Sequence, residues 1–168
     1  NNIDINKLPI FEPGLDQLIL KCRNKNLYFS TDIEKSISEA DMVFISVNTP
    51  TKTKGIGAGR ASDLIWVEAS ARDISKYAKN HTIVVEKSTV PVKTAEVIKN
   101  ILYSSDQEND APSQSFSILS NPEFLVEGSA INDLQNPDRV LIGGDDKKAI
   151  DTLASIYERW VEKKKIIK

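Results

Sequence analysis

Met42-Val-Phe-Ile-Ser-Val47 is a near-continuous apolar run that stops at the polar, proline-stiffened segment Asn48-Thr-Pro-Thr51. Short runs without polar alternation read as strands buried on both faces, the kind found inside parallel sheets. The same design returns twice downstream. Thr82-Ile-Val-Val-Glu86 runs into Lys87-Ser-Thr-Val-Pro91, and Phe116-Ser-Ile-Leu119 runs into Ser120-Asn-Pro-Glu-Phe-Leu-Val-Glu-Gly128. Arg139-Val-Leu-Ile142 reads as a further strand. Between these runs the apolar period lengthens to that of a helix. Leu64, Val67, Ala71, Ile74 and Ala78 make one stripe; Val97, Ile98, Ile101 and Leu102 make another; Ile150, Leu153, Tyr157 and Trp160 make a third. Upstream, Leu15, Leu18, Ile19 and Cys22 fall at i, i+3, i+4 and i+7, one helical face. Asn26-Leu-Tyr-Phe-Ser30 reads as a short strand, and Thr31-Asp-Ile-Glu34 as a capping box opening a helix with Ile33, Ile37 and Ala40 inward. Ser104 to Ser115 is polar and reads as a surface loop. Strand and helix in alternation predict βαβ units: a doubly wound, parallel α/β fold.

Composition narrows the function classes. The 168 residues carry 22 Lys plus Arg against 24 Asp plus Glu, a formal charge of −2. That balance offers nothing to attract nucleic acid or an anionic membrane surface. No apolar run approaches the ~20 residues that span a bilayer, and the opening segment is not built as a signal peptide. A single cysteine, Cys22, and a single histidine, His81, exclude an internal disulfide framework and Cys- or His-rich metal clusters, so no metal is expected. A reducing compartment, the cytoplasm, is the simplest setting.

In open α/β sheets ligands bind beyond the carboxyl ends of the strands. Three of the strands exit into short segments rich in Pro, hydroxyls and amides, which is the composition of a site as well as of capped turns. Glu123 and Glu127 are four apart. If Phe124–Ala130 is helical they share a face, either as a pair dividing acid and base work or as a solvated pair near a helix N-terminus. Gly55, Gly57 and Gly59 among Lys52, Lys54 and Arg60 read as a phosphate cradle or as an excursion into a subunit interface. Cys22 reads as packing, His81 as a turn residue, and Glu162–Lys165 as a solvated helix end. Gly143-Gly144 reads either as a close approach for a ligand or as an ordinary strand exit.

Five stretches, in order, resemble the UDP-glucose 6-dehydrogenase family. They are Pro9–Gly14, Phe44–Thr51, Glu86–Val92, Ser120–Gly128 and Asn136–Gly144. Lys54–Asp63 resembles the eukaryotic branch. The resemblance implies a Rossmann-like NAD-binding domain and oxidation of UDP-glucose to UDP-glucuronate by two NAD+ through a cysteine-bound thioester. It implies that Val47, Asn48, Thr49, Pro50, Thr51, Ser88, Thr89, Val90 and Glu127 contact NAD. It also implies that Glu123, Phe124, Leu125, Val126 and Glu127 contact the sugar nucleotide. Glu123 is implied in proton transfer and, with Thr89, in positioning the water that hydrolyses the thioester. The stretch around Lys87–Lys93 resembles an allosteric switch, and that around Ser46–Glu68 a region that builds a homo-hexamer.

The departures are as informative. The chain lacks the family's Gly-rich phosphate loop on a first strand, the second strand with its ribose-binding acid, and the later catalytic Lys, Asn, Cys and Asp; Cys22 does not match that nucleophile. Residues 1–168 therefore read as a partial NAD-binding domain without the first βαβ, and the polypeptide alone is expected to lack dehydrogenase activity. Two alternatives stand beside this reading: a dehydrogenase of another nucleotide sugar, and a non-catalytic module that docks into the enzyme hexamer.

Overall fold

A computed structural model describes residues 10–91, 93–104 and 115–168. Most of the expected polar loop, 105–114, lies outside them, as do residues 1–9 and Val92. In chain order the elements are α1 (Leu15–Cys22), α2 (Ile33–Ser38), β1 (Met42–Ile45), α3 (Ile65–Tyr77), β2 (Thr82–Glu86), α4 (Thr94–Ser104) and β3 (Phe116–Ser120). There follow α5 (Ala130–Gln135), β4 (Val140–Leu141), β5 (Gly143–Gly144), α6 (Lys147–Tyr157), a 3-10 turn (Lys163–Lys165) and β6 (Ile166–Ile167).

Among the described residues the main sheet has the order β1-β2-β3-β5. β1 to β3 are parallel, and β5 joins antiparallel to β3. Side chains alternate across β2, so Val84 and Val85, both fully buried, serve opposite faces. Val84 packs with Val67, Ala71 and Ile74 of α3 and Ile98 and Leu102 of α4. Val85 packs with Leu119, Val140, Ile142 and, from α6, Leu153 and Tyr157. Helices thus cover both faces, as the alternation of periods predicted.

Several local expectations are corrected. Asn26–Ser30 forms no ladder strand; one isolated bridge joins Arg23 and Leu27, and Tyr28 is 68% exposed. β-propensity alone does not make a strand where no neighbour supplies a ladder. The cap of α2 is Asp32, whose carboxylate accepts from Lys35 N at 3.0 Å, and not Thr31. Ile33 faces outward at 51% exposure. Among the described residues β1 stands at the edge of the sheet, and Phe44 is 43% exposed despite the apolar run around it. Arg139–Ile142 is not one strand. Val140–Leu141 pairs with β6, and the chain then turns so that Gly143–Gly144 pairs with β3. A Cβ on Gly144 would lie 2.6 Å from Leu119 Cδ2 and 3.0 Å from Ile118 O, so this glycine serves the close approach of β3 rather than of a ligand. Trp160 lies beyond α6, half-exposed, with Nε1 donating to Leu134 O at 2.9 Å. Lys165 is no solvated end: its Nζ donates to Pro137 O at 2.9 Å.

The amino-terminal edge of the sheet carries its own polar cluster. The His81 ring lies 2.7 Å from Ser115 Oγ and 3.1 Å from Ser117 Oγ, and the Ser117 hydroxyl donates to the Asp146 carboxylate. Asp146 caps α6 through Lys148 N and Ala149 N. The Ser117 bond, with those two amides, holds its carboxyl below the ordinary range.

Candidate functional site

The strand register builds the opposite edge. Ile45 lies beside Glu86, and Glu86 beside Ser120, so β1, β2 and β3 end level with one another. Their exits therefore share one rim, although the segments are distant in sequence. The exits are stitched together. Lys87 N and Ser88 N donate to Ile45 O at 2.9 and 3.2 Å, and Asn121 N donates to Glu86 O at 2.9 Å. Ser88 Oγ donates to Val47 O at 2.9 Å, and Thr49 Oγ1 to Thr89 O at 2.9 Å.

Two clefts open on this rim. The smaller, about 290 Å³, is lined by Ser46–Thr49 of the β1 exit, Lys87–Thr89 of the β2 exit and Glu123. The larger, about 480 Å³, lies between Asn121–Val126 on one side and α5 with residues 136–140 on the other. Lys87 and Glu123 line both. A cation and a carboxylate thus stand where the clefts meet.

Of the residues singled out in the sequence, Val47, Asn48, Thr49, Ser88, Thr89 and Glu123 come together at the smaller cleft. Phe124, Leu125 and Val126 come to the larger one, with Phe124 50% exposed beneath the Arg139 guanidinium at 4.7 Å. Pro50 and Thr51 stand outside both linings. Pro50 O accepts from Asp63 N at 2.7 Å, and Thr51 bridges Ser62 at the root of the glycine loop. Val90 packs on the core beneath α3 and α4. Ser88 is buried, and its hydroxyl is committed to the carbonyls of β1, so it shapes the cleft through hydrogen bonds to the backbone.

The helical pairing of Glu123 with Glu127 does not form. Residues 121–126 are irregular, a turn covers 127–129, and α5 starts at Ala130. Pro122 removes a backbone donor, and Gly128 at φ 89° takes a left-handed turn. The segment is held by side chains instead. Val126 N donates to Asp133 Oδ2 at 3.0 Å, Ser129 Oγ to the same oxygen at 2.9 Å, and Gly128 N to Glu12 Oε2 at 2.8 Å. Glu127 is exposed on this turn, outside both clefts. The glycine loop closes on itself, with Lys52 N to Ala61 O and Gly59 N to Lys52 O both at 2.7 Å, and lines neither cleft.

Sequence reasoning missed four residues that organise this edge: Lys87, Asn121, Glu12 and Tyr157. Lys87 and Asn121 sat inside segments already marked as strand exits, and their types were the available signal. Tyr157 read only as core, and Glu12 only as part of a stretch of resemblance. Their importance is in long-range bonds that spacing does not reveal.

The electrostatics of the rim follow from burial. Glu86 is 1% exposed, and desolvation pushes its carboxyl up to about 7 against the opposing pull of Lys87 and the Ser88 N–H. Among the described residues Glu86 Oε1 has no hydrogen-bond partner. Burial pushes the Lys87 ammonium down, while Glu123 first and Glu86 second push it back up. Among the described residues no group of three or more His, Cys, Asp or Glu is placed to hold a metal, and no helix is long and apolar enough to cross a membrane.

Comparison with known proteins bears on this edge. Residues 1–161 match the model of the UDP-glucose/GDP-mannose dehydrogenase family, NAD binding domain. The UDP-glucose 6-dehydrogenase of Drosophila melanogaster is 58% identical over 165 residues, and that of Mus musculus 56% over 164. These alignments cover 96% and 95% of this chain but 34% and 32% of the relatives, so the chain spans about a third of their length. Among solved structures, a UDP-glucose dehydrogenase from Pyrobaculum islandicum superimposes with a TM-score of 0.80 at 34% identity, over 96% of this chain and 36% of that one. A GDP-mannose dehydrogenase ternary complex from Pseudomonas aeruginosa gives 0.78 at 33%, over 97% and 37%.

Proposed function

Since this chain belongs to the UDP-glucose/GDP-mannose dehydrogenase family and corresponds to its NAD-binding domain, we propose that the protein carrying it is a UDP-glucose 6-dehydrogenase. The observation that carries the reading is the junction of two clefts at the carboxyl edge, with Lys87 and Glu123 shared between them. An enzyme that oxidises one ligand with another needs two adjoining pockets with ionisable groups at their meeting point.

The residues of the smaller cleft suit a dinucleotide. They offer backbone groups, the hydroxyls of Thr49 and Thr89, the Asn48 amide and one cation, on a rim stiffened by hydrogen bonds. We assign cofactor contact to Val47, Asn48, Thr49, Ser88 and Thr89 of the cleft itself, and, on the family resemblance, to Pro50, Thr51, Val90 and Glu127, which stand outside its lining. When bound, NAD+ supplies the hydride acceptor. Glu123 holds or moves a proton at its carboxylate, and the Thr89 hydroxyl, exposed on the turn after β2, orients a water toward it. Phe124, Leu125 and Val126 supply apolar surface in the larger cleft, and we assign them to the sugar nucleotide together with Glu123 at the junction and Glu127 on the adjoining turn. Two hydride removals would take UDP-glucose to UDP-glucuronate: the first gives an aldehyde that a cysteine thiol of the complete protein adds to as a thiohemiacetal, the second turns that adduct into a thioester, and water activated by Glu123 hydrolyses the thioester to the carboxylate and frees the thiol.

Ile56 is 99% exposed on the glycine loop, and Ile65 and Trp66 are each 55% exposed at the start of α3. Apolar residues displayed in this way support a homo-oligomer, a hexamer, built through this region. Lys93 holds φ 77° beside the cofactor turn, a strained backbone that supports an allosteric switch over Lys87–Lys93. A cytoplasmic location suits both ligands. The likeness to a GDP-mannose dehydrogenase supports a second reading, another nucleotide sugar as substrate; the higher identity to UDP-glucose 6-dehydrogenases favours the first.

The test is a substrate panel on the complete protein with NAD+. Two NADH per UDP-glucose consumed, with GDP-mannose inert, is the expected result. Turnover of GDP-mannose in preference to UDP-glucose would sink the assignment, as would no turnover of either.

A further inference from the structure

The segment bearing Glu123 leaves the sheet at Asn121, a buried residue whose hydrogen bonds run in four directions. Its backbone N–H donates to Glu86 O at 2.9 Å, and its Nδ2 donates to Leu141 O at 2.8 Å. Its Oδ1 accepts from Tyr157 Oη at 2.6 Å, and its carbonyl accepts from Lys87 Nζ at 3.3 Å. Asn121 is 1% exposed and Tyr157 6%. So β2, β4, α6 and the cofactor turn all meet on one residue, and Pro122 follows it directly. Two residues on, Glu123 stands at the junction of the clefts, and Lys87, the last member of the chain of bonds, is drawn electrostatically to Glu123.

We propose that Tyr157, Asn121 and Lys87 form a positioning relay that fixes Glu123 at the junction and couples the cofactor turn to the Pro122–Glu127 segment. None of the three needs to touch reacting atoms for this. Tyr157 holds the Asn121 amide in one orientation. Asn121 then presents its carbonyl to Lys87, and Lys87 ties the two exits together beside the carboxylate. A buried amide with both ends engaged cannot flip or tilt without leaving a polar atom unpaired, which makes the anchor stiff. Other charged or titratable groups facing this place are Glu86 from β2, and Asp133, Asp138 and Arg139 from the far wall of the larger cleft. The inference rests on the functional reading above for its consequence in catalysis, but not for its structural content.

The test therefore has two readouts on the complete protein. The first is hydrogen exchange of Tyr157→Phe, which deletes only the hydroxyl that Asn121 Oδ1 accepts from. The relay predicts faster exchange confined to peptides spanning 87–91 and 121–128, with α3 and β1 unchanged. A rise spread evenly over the domain, or none at 87–91, overturns it. The second is turnover. Tyr157→Phe and Lys87→Gln each lower kcat about tenfold to a hundredfold, and for Tyr157→Phe, whose residue lies outside the cofactor cleft, KM for NAD+ moves less than about twofold, because misplacement of a reacting group costs rate more than binding. Lys87→Arg restores most of the rate. The double variant falls by clearly less than the product of the single effects, the mark of residues acting through a shared partner. A core variant matched in melting temperature, Leu102→Val, keeps kcat. Multiplicative effects of Tyr157→Phe and Lys87→Gln, or equal losses in the matched core variant, would refute the relay while leaving the enzyme assignment standing. Confined exchange changes in a protein that oxidises no nucleotide sugar would do the reverse.

Discussion

The buried carboxyl of Glu86 makes a sharp stability prediction. In the unfolded chain it ionises at its ordinary 4.5, whereas burial in the fold pushes this to about 7. Between those values the folded state holds a proton that the unfolded state has released. Stability then falls as pH rises, from full value below 4.5 to a complete loss of this contribution above 7. A rise of about 2.5 in pKa is worth about 3 kcal/mol, of which roughly 2.5 kcal/mol is lost between pH 5 and pH 8. Glu86→Gln removes the titration while keeping the size and shape of the side chain. The variant should match the wild type within ~1 kcal/mol at pH 5 and exceed it at pH 8 by roughly 2.5 kcal/mol. Urea unfolding at both pH values, followed by the fluorescence of Trp66 and Trp160, gives the comparison directly. If the difference between variant and wild type is the same at pH 5 and pH 8, Glu86 does not titrate between them and the burial argument is wrong.

Other expectations concern packing and chemistry. Gly144→Ala places a methyl 2.6 Å from Leu119 Cδ2 and should cost about 1–3 kcal/mol, while Gly143→Ala, with nothing within 4 Å, should be neutral or slightly stabilising; equal melting temperatures for the two would contradict the close approach of β5 to β3. Thr49→Val removes the hydroxyl that Thr89 O accepts from, and should weaken NAD+ binding a few-fold by about 1 kcal/mol in a titration, with unchanged affinity counting against the stitched rim. Glu123→Gln in the complete protein should lower turnover about 10²-fold or more with little change in NAD+ affinity, and wild-type rates would remove Glu123 from proton transfer. The polypeptide of residues 1–168 alone should form no NADH from UDP-glucose and NAD+, since its single cysteine, Cys22, is half-buried on α1, away from both clefts; measurable turnover would refute this.

Much of the fold was legible because its signals are local. The apolar runs 82–86 and 116–119 and the stripes of α3, α4 and α6 are dictated by which residues neighbour which along the chain, and they stand where the periods put them. The exits after β1, β2 and β3 were also legible, since Pro and hydroxyl-rich segments after buried runs mark strand ends. The misreadings share one cause. Phe44 and Asn26–Ser30 have strand-like composition, but whether such a run is buried or paired depends on neighbours that composition does not supply. Arg139–Ile142 looked like one strand, yet its backbone is divided between two partners.

The site divides in the same way. That the segments after β1, β2 and β3 are rich in Pro, hydroxyls and amides is written in the sequence, and the roles we propose for Val47–Thr49, Ser88–Thr89 and Glu123–Val126 rest on the family resemblance of those segments. That the three exits lie level, that Lys87 joins two clefts, and that Glu86 is sealed at the end of β2 follow from the β1–β2–β3 register. Glu12 meets Gly128 across 116 residues and Tyr157 meets Asn121 across 36, and no pattern along the chain anticipates either bond. Local sequence chooses the elements because backbone propensity and periodicity act over a few residues. Burial, pairing and the orientation of one carboxylate depend on desolvation and hydrogen bonding, which exist only once distant segments have been packed together.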